Sequence, residues 1–194
     1  MSPAGSAESP SGGAAPPDPA RAHLVLLGPS GAGKSTVGPL VAARLGRPFV
    51  DLDAVIEARV GMPIATLFAE QGEGAFRAWE HRVTEELLQA GGPPIVLAPG
   101  AGWIEDPRHQ ALLRGRLWGV YLGVDPAVAV TRMGGSVGLR PKLGGADPVD
   151  SAGRLAMRRE PLYLQSHHTV STDSMSPDAV ASYIVALASR ESGD

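Results

Sequence analysis

Apolar residues along the chain fall into short, nearly unbroken runs, separated by stretches in which they recur every three or four positions. The runs HLVLL (23–27), PFVDL (48–52), PIVLA (94–98), LWGVYL (117–122) and HHTVST (167–172) predict strands. The three middle runs are close to continuously apolar, which favours strands covered on both faces, as in a parallel sheet. Between the runs the spacing turns helical. Val37, Leu40, Val41 and Leu45 share one helical face. A longer helix is predicted from about Gly72 to Ala90. Three more helices announce their starts with a capping side chain followed by proline: Asp106-Pro107, Asp125-Pro126 and Ser176-Pro177. The cap oxygen serves a free N–H, and proline needs none at the first helical position. Alternating strands and helices predict an open, layered α/β domain. One local conflict stands inside the first helix, at Gly38-Pro39. A proline there removes the bond to the Ser35 carbonyl and costs about 3 kcal/mol or kinks the helix. A bend is expected, with close packing at Gly38 as a reason for it.

The first 20 residues follow neither pattern. They are almost all Pro, Gly, Ser and Ala, without a basic start or an apolar middle. That is not a secretory leader, and it buries too little surface to order itself. Residues 1–20 are therefore expected to be a disordered tail, and residues 21–194 a single domain. The chain of 194 residues is long enough for one full core, and 43% apolar content suits a globular fold. A net charge of −3 offers no general attraction to nucleic acid or to an anionic membrane. No apolar run approaches the roughly 20 residues that span a bilayer. The absence of cysteine removes disulfide, thiolate-metal and thiol chemistry, and suits a cytoplasmic setting. A cytoplasmic monomer with no nucleic-acid or membrane partner is the expectation.

GPSGAGKST, Gly28 to Thr36, follows a predicted strand and opens a predicted helix. It matches G-x-x-x-x-G-K-[ST], the phosphate-binding loop. Gly28, Gly31, Ala32, Gly33 and Thr36 would place backbone N–H groups around phosphate oxygens at a helix N-terminus. Lys34 would reach the β- and γ-phosphates, and the Ser35 hydroxyl would ligate Mg²⁺. ATP or another nucleoside triphosphate is the implied ligand. A motor needs more chain, and no GTPase-like N-K-x-D segment follows the middle strands, which leaves small-molecule kinases in front.

FVDLD places Asp51 and Asp53 two apart at a strand end, where open α/β sheets bind ligands. One carboxylate can serve the Mg²⁺ shell and the other can take a proton from an attacking hydroxyl. The competing reading makes Asp53 a plain N-cap for a helix over 53–60. Arg77, Arg132, Arg140 and Arg159 are the notable bases. Two can clamp a substrate carboxylate, and another can neutralise the moving phosphoryl group. Residues 134–150 contain five glycines, which suits a mobile lid. His81 and His109 read as helix-surface residues. His167 and His168 are adjacent and face opposite ways in a strand, and no histidine is assigned to catalysis or metal.

The series GKST, DLD, FRxxE, a glycine turn after the third strand, LRPKL and RREPLY resembles shikimate kinase over residues 22–190. The resemblance implies a three-layer P-loop kinase fold with a five-stranded parallel sheet and a mobile lid. It implies ATP- and Mg²⁺-dependent phosphorylation of the 3-hydroxyl of shikimate, a step of aromatic amino-acid synthesis. It makes Lys34 the phosphate-binding lysine, and Ser35 and Asp51 the Mg²⁺ residues. Asp53 becomes the residue that orients and deprotonates the hydroxyl. Arg77 and Arg159 would hold the substrate carboxylate, and Arg140 would approach the phosphates from the lid. Arg132 and Pro177 fall where the family contacts adenine.

PIVLAPGAGW, 94–103, departs from the family's three consecutive glycines. Gly100 and Ala101 still fall at the substrate wall. Pro99 has no N–H, Ala101 tolerates positive φ poorly, and Trp103 adds bulk beside the pocket. The acceptor wall is therefore expected to differ. Two further readings stay open: a kinase for a related cyclic polyol or hydroxy acid, and an inactive ATP- and ligand-binding regulator.

Overall fold

A computed structural model describes residues 17–89, 91–134 and 147–192. Arg140 and most of the glycine-rich segment expected as a lid lie outside the described residues. Of the expected tail, residues 17–20 are described, and Asp18 to Arg21 makes a turn closed by its backbone.

The elements alternate along the chain. They are β1 (His23–Leu27), α1 (Lys34–Leu45), β2 (Phe49–Asp51), α2 (Leu52–Val60), α3 (Ile64–Gln89), β3 (Val96–Ala98), α4 (Pro107–Gly115), β4 (Leu117–Gly123), α5 (Pro126–Met133), α6 (Pro148–Tyr163), β5 (His168–Ser171) and α7 (Pro177–Glu191). One 3₁₀ turn, Trp103–Glu105, precedes α4. All five predicted strands are present. They form one sheet in the order β2-β3-β1-β4-β5, and every pairing is parallel.

The strands' apolar runs are continuous because both faces are covered. Val25 and Leu27 point into one core with Leu52, Ile56, Leu67, Phe76, Val83 and Leu113. Leu24 and Leu26 point into the other, with Val37, Val41, Val180 and Ile184. The period of two along β1 thus divides its side chains between two helix layers. α2, α3 and α4 supply one layer; α1 and α7 supply the other.

The predicted caps are formed. The side chains of Asp106, Asp125 and Ser176 accept from Arg108, Ala127 and Ala179 N–H groups at 2.9, 2.8 and 3.2 Å. Asp147-Pro148 starts α6 in the same way. α1 runs as one helix with Pro39 inside it. A Cβ on Gly38 would stand 2.2 Å from the Phe49 ring, so this glycine lets α1 lie against β2. α3 is two helices that meet at a kink at Gly72, where φ is 80° and ψ 171°, and the second of them is the long helix expected from about Gly72.

Candidate active site

The phosphate loop joins β1 to α1. Its glycines answer crowding as well as backbone angle. Gly28 and Gly31 have φ of 144° and 83°, and a Cβ on either would stand 2.5 Å from a carbonyl oxygen, of Leu122 and Ala129 respectively. Lys34 Nζ donates to the carbonyls of Gly28 (2.7 Å) and Pro29 (3.1 Å), which holds the ammonium over the loop. Ser35 Oγ donates to Asp51 Oδ2 at 2.9 Å. The other Asp51 oxygen accepts the Ala54 N–H, so the cap of α2 is Asp51 and not Asp53. A hydroxyl beside a carboxylate, next to a phosphate loop, is a donor set suited to a hard cation.

Two cavities open at the strand ends. One, of about 470 Å³, is lined by residues 30–37 of the loop together with Asp51, Arg132 and Pro177. Arg132 reaches it from α5, held by the Thr172 hydroxyl at 2.9 Å and the Thr172 carbonyl at 2.6 Å. The other, of about 430 Å³, is lined by Arg77, Glu80, Gly102 and Arg159, with Phe68 and Phe76 on its apolar side. Ser30, Asp53, Gly100 and Ala101 border both. Asp53 therefore stands where the cavities meet. The sequence-based site residues assort accordingly: the residues expected at the nucleotide, apart from Gly28, line the first cavity, and Arg77 and Arg159 the second.

Carboxylates that the sequence reading left without a role set up both arginines. Arg77 Nη1 pairs with Glu80 at 2.6 Å, and Nη2 with Glu73 at 3.1 Å, one turn to either side on α3. Glu80 is fully buried. Burial pushes its carboxyl up to about 7 against the pull of Arg77, and the negative charge of Asp53 adds to the rise. Arg159, also buried, pairs with Glu105 at 2.7 Å. Its Nε–H is buried with no hydrogen-bond partner among the described residues, which leaves a donor for a ligand carboxylate. Glu80 and Glu73 lie at helical spacing from Arg77 and could have been found from it. Glu105 is 54 positions from Arg159 and carries no local signal.

The structure corrects two expectations at the PGAGW turn and one just behind it. Ala101 is not strained: among the described residues no non-glycine has positive φ, and neither Gly100 nor Gly102 adopts it. The two remaining glycines answer close approach instead. A Cβ on Gly100 would stand 3.1 Å from Asp53 Oδ1, and one on Gly102 2.3 Å from Arg77 Nη2. Pro99 faces the nucleotide cavity. Trp103 does not crowd the pocket. It is fully buried behind the wall, donating to Thr84 Oγ1 at 3.1 Å and stacked on His109 at 4.3 Å. His109 is likewise buried and not a surface residue; burial pushes its imidazolium down to about 4, so the ring is neutral. Tyr163 braces the turn from α6, its hydroxyl donating to the Ala101 carbonyl at 2.6 Å.

The comparisons agree with this geometry. The family model described as shikimate kinase matches residues 30–189. A shikimate kinase of Nitrobacter winogradskyi is 40% identical over 86% of this chain and 77% of its own. One from Symbiobacterium thermophilum is 38% identical over 87% and 97%. Among solved structures, the shikimate kinase from Acinetobacter baumannii in complex with shikimate superposes with a TM-score of 0.83, at 32% identity, covering 90% of this chain and 96% of that one. With a family model over residues 30–189 and relatives at 38–40% identity across most of both chains, the chain belongs to the shikimate kinase family of ATP-dependent kinases.

Proposed function

We propose that the chain transfers the γ-phosphoryl group of ATP to the 3-hydroxyl of shikimate. The observation that carries this reading is the position of Asp53 on the border of two cavities, with Lys34 on one side and Arg77 and Arg159 on the other. A cyclic hydroxy acid has a carboxylate at one end and hydroxyls at the other. Arg77 and Arg159 bind the carboxylate, which turns a hydroxyl toward Asp53. Asp53 orients that hydroxyl and takes its proton as the new P–O bond forms and the bond to ADP breaks. Lys34 stabilises the charge on the phosphoryl oxygens, and Arg140 joins it from the glycine-rich segment. Ser35 and Asp51 would hold Mg²⁺, which when bound neutralises phosphate charge. Arg132 and Pro177 form the adenine side. A cytoplasmic monomer completes the reading.

Coupled ADP release with shikimate and with related cyclic hydroxy acids tests it. Turnover of shikimate that needs Mg²⁺ is expected. Asp53→Asn keeps the shape but removes the base, and kcat is expected to fall by about 10²–10⁴-fold. Full activity in that variant would remove Asp53 from the mechanism. Turnover of another alcohol without shikimate would change the acceptor.

A further inference from the structure

Behind the acceptor wall, α3 and α4 bring three metal-ligating side chains together. His81 lies one turn beyond Arg77 on α3. Asp106 caps α4, and His109 lies one turn inside it. One ligand atom from each of His81, Asp106 and His109 lies within 4.8 Å of the other two. The His109 Nδ1 is 2.9 Å from the Trp103 carbonyl oxygen. A carbonyl only accepts, so Nδ1 carries the hydrogen and the neutral ring presents a lone pair at Nε2. That Nε2 is buried with no hydrogen-bond partner among the described residues, and so is the His81 Nδ1. Two orphaned ring nitrogens, on rings whose centroids lie 5.5 Å apart, are costly unless something satisfies each.

We propose that His81, Asp106 and His109 form a binding site for a divalent transition-metal ion, with Zn²⁺ as the occupant, that ties α3 to α4 behind the acceptor pocket. Two imidazoles and one carboxylate suit Zn²⁺ and not Mg²⁺, which prefers an oxygen shell. Ligands about 2.1 Å from a tetrahedral ion stand about 3.5 Å apart, so side-chain rotation has to close the cluster by about 1 Å. The Nδ1–H bond from His109 to a backbone carbonyl is the kind of support that metal-bound histidine commonly has. The Asp106 carboxylate is already oriented, by the Arg108 guanidinium and backbone N–H. Water completes the fourth position. The ion would lock Trp103, which directly follows the Gly100–Gly102 wall, against the helix that carries Arg77.

The test uses the full chain, stripped with a chelator and free of nucleotide, with Co²⁺ as probe. Co²⁺ in a four-coordinate nitrogen–oxygen site absorbs visible light intensely, whereas in the oxygen site at Ser35 and Asp51 it absorbs weakly. About one intensely absorbing Co²⁺ per chain, displaced by Zn²⁺, is expected. Zn²⁺ should also raise the unfolding temperature. In His81→Gln the intense bands should vanish and Zn²⁺ affinity should drop by about 100-fold or more. The metal-free variant should unfold at the same temperature as the metal-free wild type, which separates ligand loss from damage to the fold. Weak absorption only in the wild type, or intense bands that survive His81→Gln, would overturn the site.

Discussion

A methyl group at Gly102 would press on the Nη2 of Arg77, and the guanidinium is the movable partner in that contact. Glu80 and Glu73 would then hold it in a shifted position. Gly102→Ala is expected to raise the KM for shikimate about 10-fold, with a smaller change in kcat and a nearly unchanged unfolding temperature, because substrate positioning is lost and no core is opened. Steady-state kinetics and a thermal scan check this; an unchanged KM would mean that Arg77 does not hold the substrate. At this scale the sequence was informative about placement, since Lys34, Ser35, Asp51 and Asp53 all lie at the phosphate-loop cavity. It was poor wherever burial decides. Trp103 and His109 each look peripheral in the linear chain. They are central because they stack on one another, a pairing that no local pattern announces.

Among the elements, the capped helices were the most legible, since each start combines a side-chain acceptor with a proline that needs no partner. The start of the long helix was legible as well, because Gly72 adopts a positive φ that breaks α3 into two helices at that residue. α1 carries a glycine at residue 38 for a reason seen only in the sheet. Phe49, at the start of β2, fills the space that a side chain at residue 38 would take. Gly38→Ala gains helix propensity of about 1 kcal/mol but overpacks against an aromatic ring at about 1–3 kcal/mol. Net destabilisation is expected in urea unfolding, and a stabilised variant would show that α1 and β2 separate at little cost.

For the whole molecule, the parallel sheet is tied near its ends by two histidines that accept hydrogen bonds. The Ile95 N–H donates to His23 Nδ1 at 3.2 Å, and the Gly119 N–H to His167 Nδ1 at 3.0 Å. Both rings must be neutral to accept, and burial lowers both pKa values below the usual 6.5. The unfolded chain therefore binds more protons than the folded one, and this contribution to stability is lost as pH falls below about 6.5. Glu80 works in the opposite sense. Its raised pKa gives stability that is present below about 4.5 and lost as pH rises through about 7. In the shared window three imidazoles, with His109 beside His23 and His167, oppose one carboxyl, so Glu80→Gln should steepen the loss of stability on acidification and His23→Gln should flatten it. Urea titrations across that range read both slopes; parallel curves for all three proteins would refute the assignment.

The short helix α5 borders both cavities: Pro126 and Ala129 line the one that holds Arg77 and Arg159, proposed for the acceptor, and Arg132 and Met133 the one at the phosphate loop, proposed for the nucleotide. Its Ala129 backbone also lies where any side chain at Gly31 would go. α6 contributes Ala152, Leu155, Ala156 and Arg159 to the acceptor cavity and none of the nucleotide cavity's lining. The two walls thus differ in evolvability. Enlarging the pocket through α5 would disturb ATP as much as the acceptor, whereas small-to-large exchanges at Ala152 or Ala156 leave the phosphate loop alone. New acceptor preferences in this scaffold should therefore arise along α6, while α5 stays constrained by the nucleotide that every variant must still use.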